Sequence, residues 1–282
     1  MAELPTPSPG PSSPTGGDLV YRQRLVVRIW HWLNAFTIFV MLMSGAMIFN
    51  AHPRLYWGQY GANLETPWLE IGHTANAGFL RLGRVTVPTT GVLGLTPGSD
   101  RAFPPLVTIP STYSLADARQ WHFAFAWLLV VPGLLFWAWG FATRHIQRDL
   151  APTPSELRPA HIWQDIKDHA RLRFHTGEAA RSYNILQKLS YTAVIFVLLP
   201  GVVLTGLTMS PGMDAAWPWL LELFGGRPSA RSIHFICAAL LLGFIVVHLV
   251  MVVLAGPVNE IRSMITGWYR LPPEKPETEK VE

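Results

Sequence analysis

Four long apolar stretches constrain this chain more than any other feature. They run from about Val26 to Phe49, Trp121 to Thr143, Leu189 to Met209 and Ile233 to Leu254. About 20 apolar residues, each rising ~1.5 Å in a helix, suffice to cross the hydrocarbon core of a bilayer. No water is available there to satisfy a backbone N–H or C=O. A spanning segment must therefore close its own hydrogen bonds, and a single stretch does so only as a helix. The prediction is an all-α integral membrane protein, an antiparallel bundle of four transmembrane helices with a long loop between helices 1 and 2. Pro132 and Pro200 fall inside spans and are expected to kink or loosen them. Gly45, Ala46, Gly133, Gly201 and Gly206 would let helices approach closely. A fifth apolar run, Trp217 to Phe224, is too short to span, and its two tryptophans suit a helix lying in the headgroup region.

Charge sets the orientation. Only 14% of the 282 residues are charged, against about 25% in soluble domains. The connection between the second and third spans, from Arg144 to Lys188, is strongly basic. Arg22, Arg24 and Arg28 precede or open the first span, and Arg262, Arg270, Lys275 and Lys280 follow the fourth. The connection after the first span mixes its arginines with Glu65, Glu70, Asp100 and Asp117, and the one after the third holds only Arg227 and Arg231. Positive charge stays on the cytoplasmic side. Both termini and the second connection are therefore expected in the cytoplasm of a bacterial inner membrane, with the first and third connections periplasmic. Cations that flank apolar segments serve membrane lipid, so no nucleic-acid partner is expected. Residues 1–24 and 271–282, rich in Pro, Ser, Gly, Glu and Lys, read as disordered cytoplasmic tails around a domain of residues 25–270.

Four histidines lie within the spans: His31, His122, His234 and His248. No Asp, Glu, Lys or Arg lies deep inside any span, and intramembrane ionisable residues are functional candidates by default. A proton relay would bring carboxylates with it, so the pattern favours metal ligation. His234 and His248 are 14 residues apart, nearly four helical turns, so they share a face and sit roughly 21 Å apart along the axis. Given the orientation, His31 and His248 fall near the cytoplasmic surface, and His122 and His234 near the periplasmic one. Two bis-histidine haem sites result, His31 with His248 and His122 with His234. The single cysteine, Cys237, excludes an intrachain disulfide, a Cys-rich iron–sulfur cluster and a C-x-x-C-H haem attachment. Any haem is held without covalent linkage and is b-type. No Walker loop, dinucleotide glycine fingerprint or G-x-S-x-G motif is present.

The run Arg28-Ile29-Trp30-His31-Trp32-Leu33-Asn34 resembles the first-helix signature of cytochrome b subunits of bacterial nickel-iron hydrogenases and formate dehydrogenases, in the bacterial cytochrome b561 superfamily. Trp121-His122-Phe123 resembles the second-helix ligand position, and His234 and His248 the two fourth-helix ligands. The resemblance covers roughly Tyr21 to Trp268. The segment His52-Pro53-Arg54-Leu55-Tyr56-Trp57-Gly58-Gln59-Tyr60-Gly61 resembles that after the first helix in thiosulfate-reductase-type cytochrome b subunits, which accompany periplasmic molybdenum oxidoreductases. The resemblance implies two haems b, quinone or quinol exchange near the cytoplasmic haem and a periplasmic oxidoreductase partner.

Other residues carry a functional and a bland reading. His52 to Gly61 is a partner-docking surface or lid, or a local turn. His73 is expected as a surface histidine, and His145, His161, His169 and His175 as residues of a solvated loop without zinc-site spacing. Cys237 is a redox thiol or a small apolar core residue. Arg28, Asn34 and Arg231 are candidate contacts to haem propionates or quinone, set against snorkelling and helix–helix hydrogen bonding. The expected function is an electron-transfer subunit between the quinone pool and a periplasmic, molybdenum-type oxidoreductase. The rivals are a self-contained quinone-linked superoxide oxidase or ferric reductase, and a non-redox anchor or transporter.

Overall fold

A computed structural model of the chain describes residues 18–61, 64–171 and 183–271. Four helices in it are long and apolar enough to cross a membrane: α1 (Leu25–Phe49), α2 (Leu115–Ala142), α4 (Ile185–Thr208) and α7 (Arg227–Ala255). Between α2 and α4 lies α3 (Pro159–Ala170). Two short helices, α5 (Pro211–Ala216) and α6 (Pro218–Leu223), follow α4, and α8 (Pro257–Thr266) follows α7. The short apolar run expected to form a helix is α6.

The spanning helices expose apolar faces and bury a mixture of apolar and small polar side chains. On α1 the buried positions include Asn34, Thr37 and Ser44, whereas Phe36 and Phe39 are each about 60% exposed. Leu242, Val246, Val250 and Val253 are likewise exposed on α7. In water such faces would drive aggregation; in lipid they cost nothing, and small and hydroxyl-bearing residues join the apolar ones at helix contacts.

All four helices begin before their apolar runs, α2 and α7 by the most. α2 starts at Leu115 and α7 at Arg227, so His122 and His234 lie well inside their helices. α2 continues through Pro132. In α4, residues Val194–Leu198 take π-helical geometry immediately before the turn that contains Pro200, which supplies no N–H to the ladder. A Cβ at Gly133 would meet open space, so that glycine does not mark a close helix approach.

The described chain packs as two units, one of residues up to His31 with Phe136–Ala193 and Phe244 onward, the other of Trp32–Leu135 with Val194–Gly243. In the first unit, β1 (Leu19–Tyr21) pairs antiparallel with β6 (Trp268–Arg270). This corrects the expected tail over residues 1–24: from Leu19 the chain is a strand, and the earlier residues lie outside the described ones, as do those after Leu271. The pairing is held by apolar contact, with Val20 packed on buried Tyr269 and Leu271. Gly267 ends α8 at φ +90°, and its carbonyl accepts the N–H groups of Arg22 and Gln23. Arg22 is sandwiched between the rings of Tyr183 and Tyr269, 5.3 and 4.7 Å from their centres.

The second unit holds an element absent from the sequence reading. The connection from α1 to α2 is not only loop: it forms an antiparallel four-stranded sheet in the order β2 (Arg54–Leu55), β3 (Leu69–His73), β4 (Gly78–Leu82), β5 (Val85–Pro88). Its inner face buries Leu55, Leu69 and Ile71 with Phe49 from the end of α1 and Ala102. Buried Glu70 accepts from Arg54 Nε and Arg81 Nη1, both at 2.8 Å, and so cross-braces three strands. Gly94, at φ +76°, lies so close to the Gly72 carbonyl that no Cβ fits there. Leu55 is 1% exposed. Leu55→Ala should cost about 2–5 kcal/mol, as for other buried leucines. Thermal unfolding in detergent should show the drop, and an unchanged transition would deny the sheet a share in stability.

Candidate functional site

The four membrane histidines meet in two pairs, one in each unit. In the first unit, His31 on α1 faces His248 on α7 with ring centres 6.2 Å apart and planes at 65°. In the second, His122 on α2 faces His234 on α7, again at 6.2 Å, with planes at 57°. All four rings are half-buried.

The spacing suits a metal between the rings. Two iron–nitrogen bonds of about 2 Å, with each ring centre roughly 1 Å beyond its nitrogen, separate ring centres by roughly 6 Å. Rings in direct contact would stack closer or share a hydrogen bond. The donor set is also right, since two neutral imidazoles are standard axial ligands of a b-type haem.

In the second unit the helices around the pair provide matching supports. Ser44 Oγ on α1 lies 3.0 Å from His122 Nδ1, and Thr205 Oγ1 on α4 lies 3.1 Å from His234 Nδ1. Each hydroxyl is followed by a glycine over the same ring. A Cβ at Gly45 would sit 3.4 Å from His122 Cε1, and one at Gly206 would sit 3.5 Å from His234 Cε1. In the first unit, Phe244 stacks on His248 with planes 11° apart, and Trp30 stacks on Phe136 at 4.0 Å.

The remaining candidates fall as follows. Arg28 Nη1 donates to the Ile265 carbonyl at 2.9 Å in the first unit. Arg231, one turn before His234, donates to the His52 carbonyl and lies over the Phe49 ring. Asn34 is buried on α1. Cys237 is buried in an apolar cluster with Leu129, Val202 and Leu241 and packs on Gly201, as a small apolar residue would.

The His52–Gly61 segment is fastened to the start of α7. Ser232 Oγ donates to the Tyr56 carbonyl at 2.6 Å and accepts from Trp68 Nε1 at 2.9 Å, and Gly58 N–H donates to Ser229 Oγ at 2.7 Å. Beside it, His52, Arg54, Arg227 and Arg231, with Tyr56, line a cavity of about 300 Å³. Burial, and then the charges of Arg231 and Arg54, push the His52 imidazole below its usual range. Of the three arginines, Arg54 is paired with Glu70 and Arg227 with Asp214.

The solvated-loop expectation fails for His145, and His161 and His169 lie on helix α3 rather than in a loop. His145 is not in a solvated loop: it is 6% exposed, packed against Trp139, with Nδ1 2.6 Å from Asp149 Oδ2. Arg144, at φ +55°, ends the helical run and turns the next residue inward. The Arg148 hydrogen bond, opposed by burial and aided by His145, holds the Asp149 carboxyl below the usual range. His169 is half-buried, with Nδ1 donating to the Asp165 carbonyl and Nε2 near Asn184, whereas His73 and His161 are exposed. His175 lies outside the described residues. Among the described residues no group of three or more His, Cys, Asp or Glu could hold a metal ion.

Helices of membrane-crossing length bearing imidazoles that face each other in pairs define a multi-pass membrane protein of the cytochrome b type. A model of the prokaryotic cytochrome b561 family matches residues 22–267, and the chain belongs to that family. It is therefore a b-type haem protein of the hydrogenase cytochrome b superfamily. A protein of Azospira oryzae named as a protein-methionine-sulfoxide reductase subunit, YedZ1, is 33% identical over 153 residues, which are 54% of this chain and 72% of that protein. A protein of Azotobacter vinelandii named as a nickel-iron hydrogenase B-type cytochrome subunit is 25% identical over 209 residues, 68% of this chain and 86% of the relative. One of the same description from Cupriavidus necator is 20% identical over 257 residues, 86% and 83% of the two chains. No solved structure matches the chain.

Proposed function

We propose that this chain is a di-haem b electron-transfer subunit that passes electrons between the membrane quinone pool and a periplasmic oxidoreductase. The observation that carries the reading is the pair of facing imidazoles, repeated at one spacing, on helices of membrane-crossing length. His31 and His248 hold one haem, and His122 and His234 the other. When bound, the haems supply one-electron chemistry; the chain supplies ligands, burial and hydrogen bonds that set their potentials. Arg28 and Arg231 retain guanidinium donors beyond those already engaged and would meet haem propionates, or lipid headgroups, at the two levels. Asn34 is a further candidate contact to quinone or haem.

The charge distribution supports both termini on the cytoplasmic side of a bacterial inner membrane, with the sheet and the third connection periplasmic. Quinone exchange then falls near the His31–His248 haem. The relatives are named as subunits of a hydrogenase and of a protein-methionine-sulfoxide reductase, which supports an oxidoreductase partner. The His52–Gly61 segment supports a partner of the molybdenum type. The test is direct. A quinol added anaerobically to the purified, oxidised chain should bring up reduced haem b bands; a chain that stays oxidised while dithionite reduces it would refute the quinone link.

A second reading, a self-contained quinone-linked superoxide oxidase or ferric reductase, is favoured by the cavity beside the His52–Gly61 segment, where Arg231 could meet a small anion while Arg54 and Arg227 are engaged by Glu70 and Asp214. Superoxide-dependent quinone reduction by the purified chain alone would establish it. On the leading reading that rate stays at background.

A further inference from the structure

Two buried hydroxyls stand opposite the two imidazoles of the second unit. Ser44 and Thr205 are both fully buried. Their own protons are committed: Ser44 Oγ donates to the Met41 carbonyl at 3.2 Å, and Thr205 Oγ1 donates to the Gly201 carbonyl one turn back. A hydroxyl carries one proton, so towards a third group it can only accept. Nδ1 of His122 lies 3.0 Å from Ser44 Oγ and Nδ1 of His234 lies 3.1 Å from Thr205 Oγ1, and the Met41 and Val202 carbonyls accept from the same two rings, so each Nδ1–H faces a hydroxyl and a carbonyl together. An imidazole protonated at Nδ1 presents its lone pair at Nε2. The glycine after each hydroxyl leaves the Cε1 edge of each ring just enough room for this placement.

We propose that Ser44 and Thr205 are positioning residues, which fix the tautomer and ring plane of His122 and His234 so that both Nε2 atoms face one iron. The proposal rests on the reading that this pair holds haem. It assigns a purpose to two fully buried hydroxyls beside the rings, and a reason for the Ser44-Gly45 and Thr205-Gly206 dipeptides. An acceptor on Nδ1–H makes the imidazole a stronger donor, which favours ferric iron. Loss of that acceptor should therefore raise the reduction potential of this haem.

The test is a redox titration, with low-temperature EPR, of the purified full chain carrying Ser44→Ala, Thr205→Val or both. The expected result is one haem raised in potential, more in the double variant, with its ferric low-spin signal altered because the angle between ring planes is released. The other haem should be unchanged, and Ser44→Thr and Thr205→Ser should keep wild-type values. Selective loss of this one haem in the alanine and valine variants, with retention in the conservative ones, would equally support the role. Unchanged potential and EPR signal would overturn it, as would equal losses in the conservative variants, which would point to packing. His122→Ala in parallel separates the two claims: retention of both haems there refutes the ligation itself.

Discussion

His234→Ala should purify with half the haem of the unsubstituted chain, the remaining haem spectrally near normal. His234 faces His122, so on the proposed pairing its removal leaves a single imidazole for that haem. A single neutral ligand without a partner does not keep a low-spin b-type centre. The His31–His248 pair belongs to the other packing unit and keeps both of its ligands. Pyridine haemochrome content against protein measures the loss. Full haem content in the variant would refute the pairing of His122 with His234, and loss of both haems would show that the two centres are not independently held.

The second large effect is expected at the other pair. His248→Ala should remove the haem nearest the proposed quinone exchange and, with it, reduction of the chain by quinol. The remaining haem should still be reduced by dithionite. Rapid mixing of the oxidised variant with excess quinol, followed at the haem b bands, should show only the rate of membranes lacking the chain. Normal reduction in His248→Ala would move the quinone site to the other level. In His234→Ala, by contrast, quinol should still reduce the haem that remains, while transfer onward to a periplasmic acceptor stops. The two variants together therefore give opposite defects, which a merely destabilised protein would not.

Much of this was legible because hydropathy is local. Each spanning helix was visible as a continuous run, and the four histidines stood out as ionisable groups in apolar surroundings. The 14-residue separation of His234 and His248 needed only the helical repeat. Span starts were less legible, since α2 and α7 continue past the apolar run into Leu115–Gln120 and Arg227–Ser232, where charged residues interrupt hydropathy but not the backbone ladder. The sheet was hidden for a different reason. Its strands are two to five residues long, and its core joins Leu55, Leu69, Ile71 and Ala102, which lie far apart in the chain. Pairing, not periodicity, makes them strands.

The supports of the histidines were also out of reach. Ser44 and Thr205 look in sequence like ordinary small polar residues of spans, and Gly45 and Gly206 like generic contact glycines. A hydroxyl-glycine dipeptide occurring in two spans was the available signal, and only the rings opposite give it meaning. The burial of His145 is not legible in the sequence because it depends on the turn at Arg144 and on Asp149 one turn later, which composition does not reveal.

Haem content of the unsubstituted chain is the most direct measure of all this. Expressed with ample haem supply and purified in detergent, the protein should give a pyridine haemochrome of b type at two haems per chain, with EPR showing strongly tilted axial imidazoles. A colourless protein, or one holding a single haem under those conditions, would contradict it.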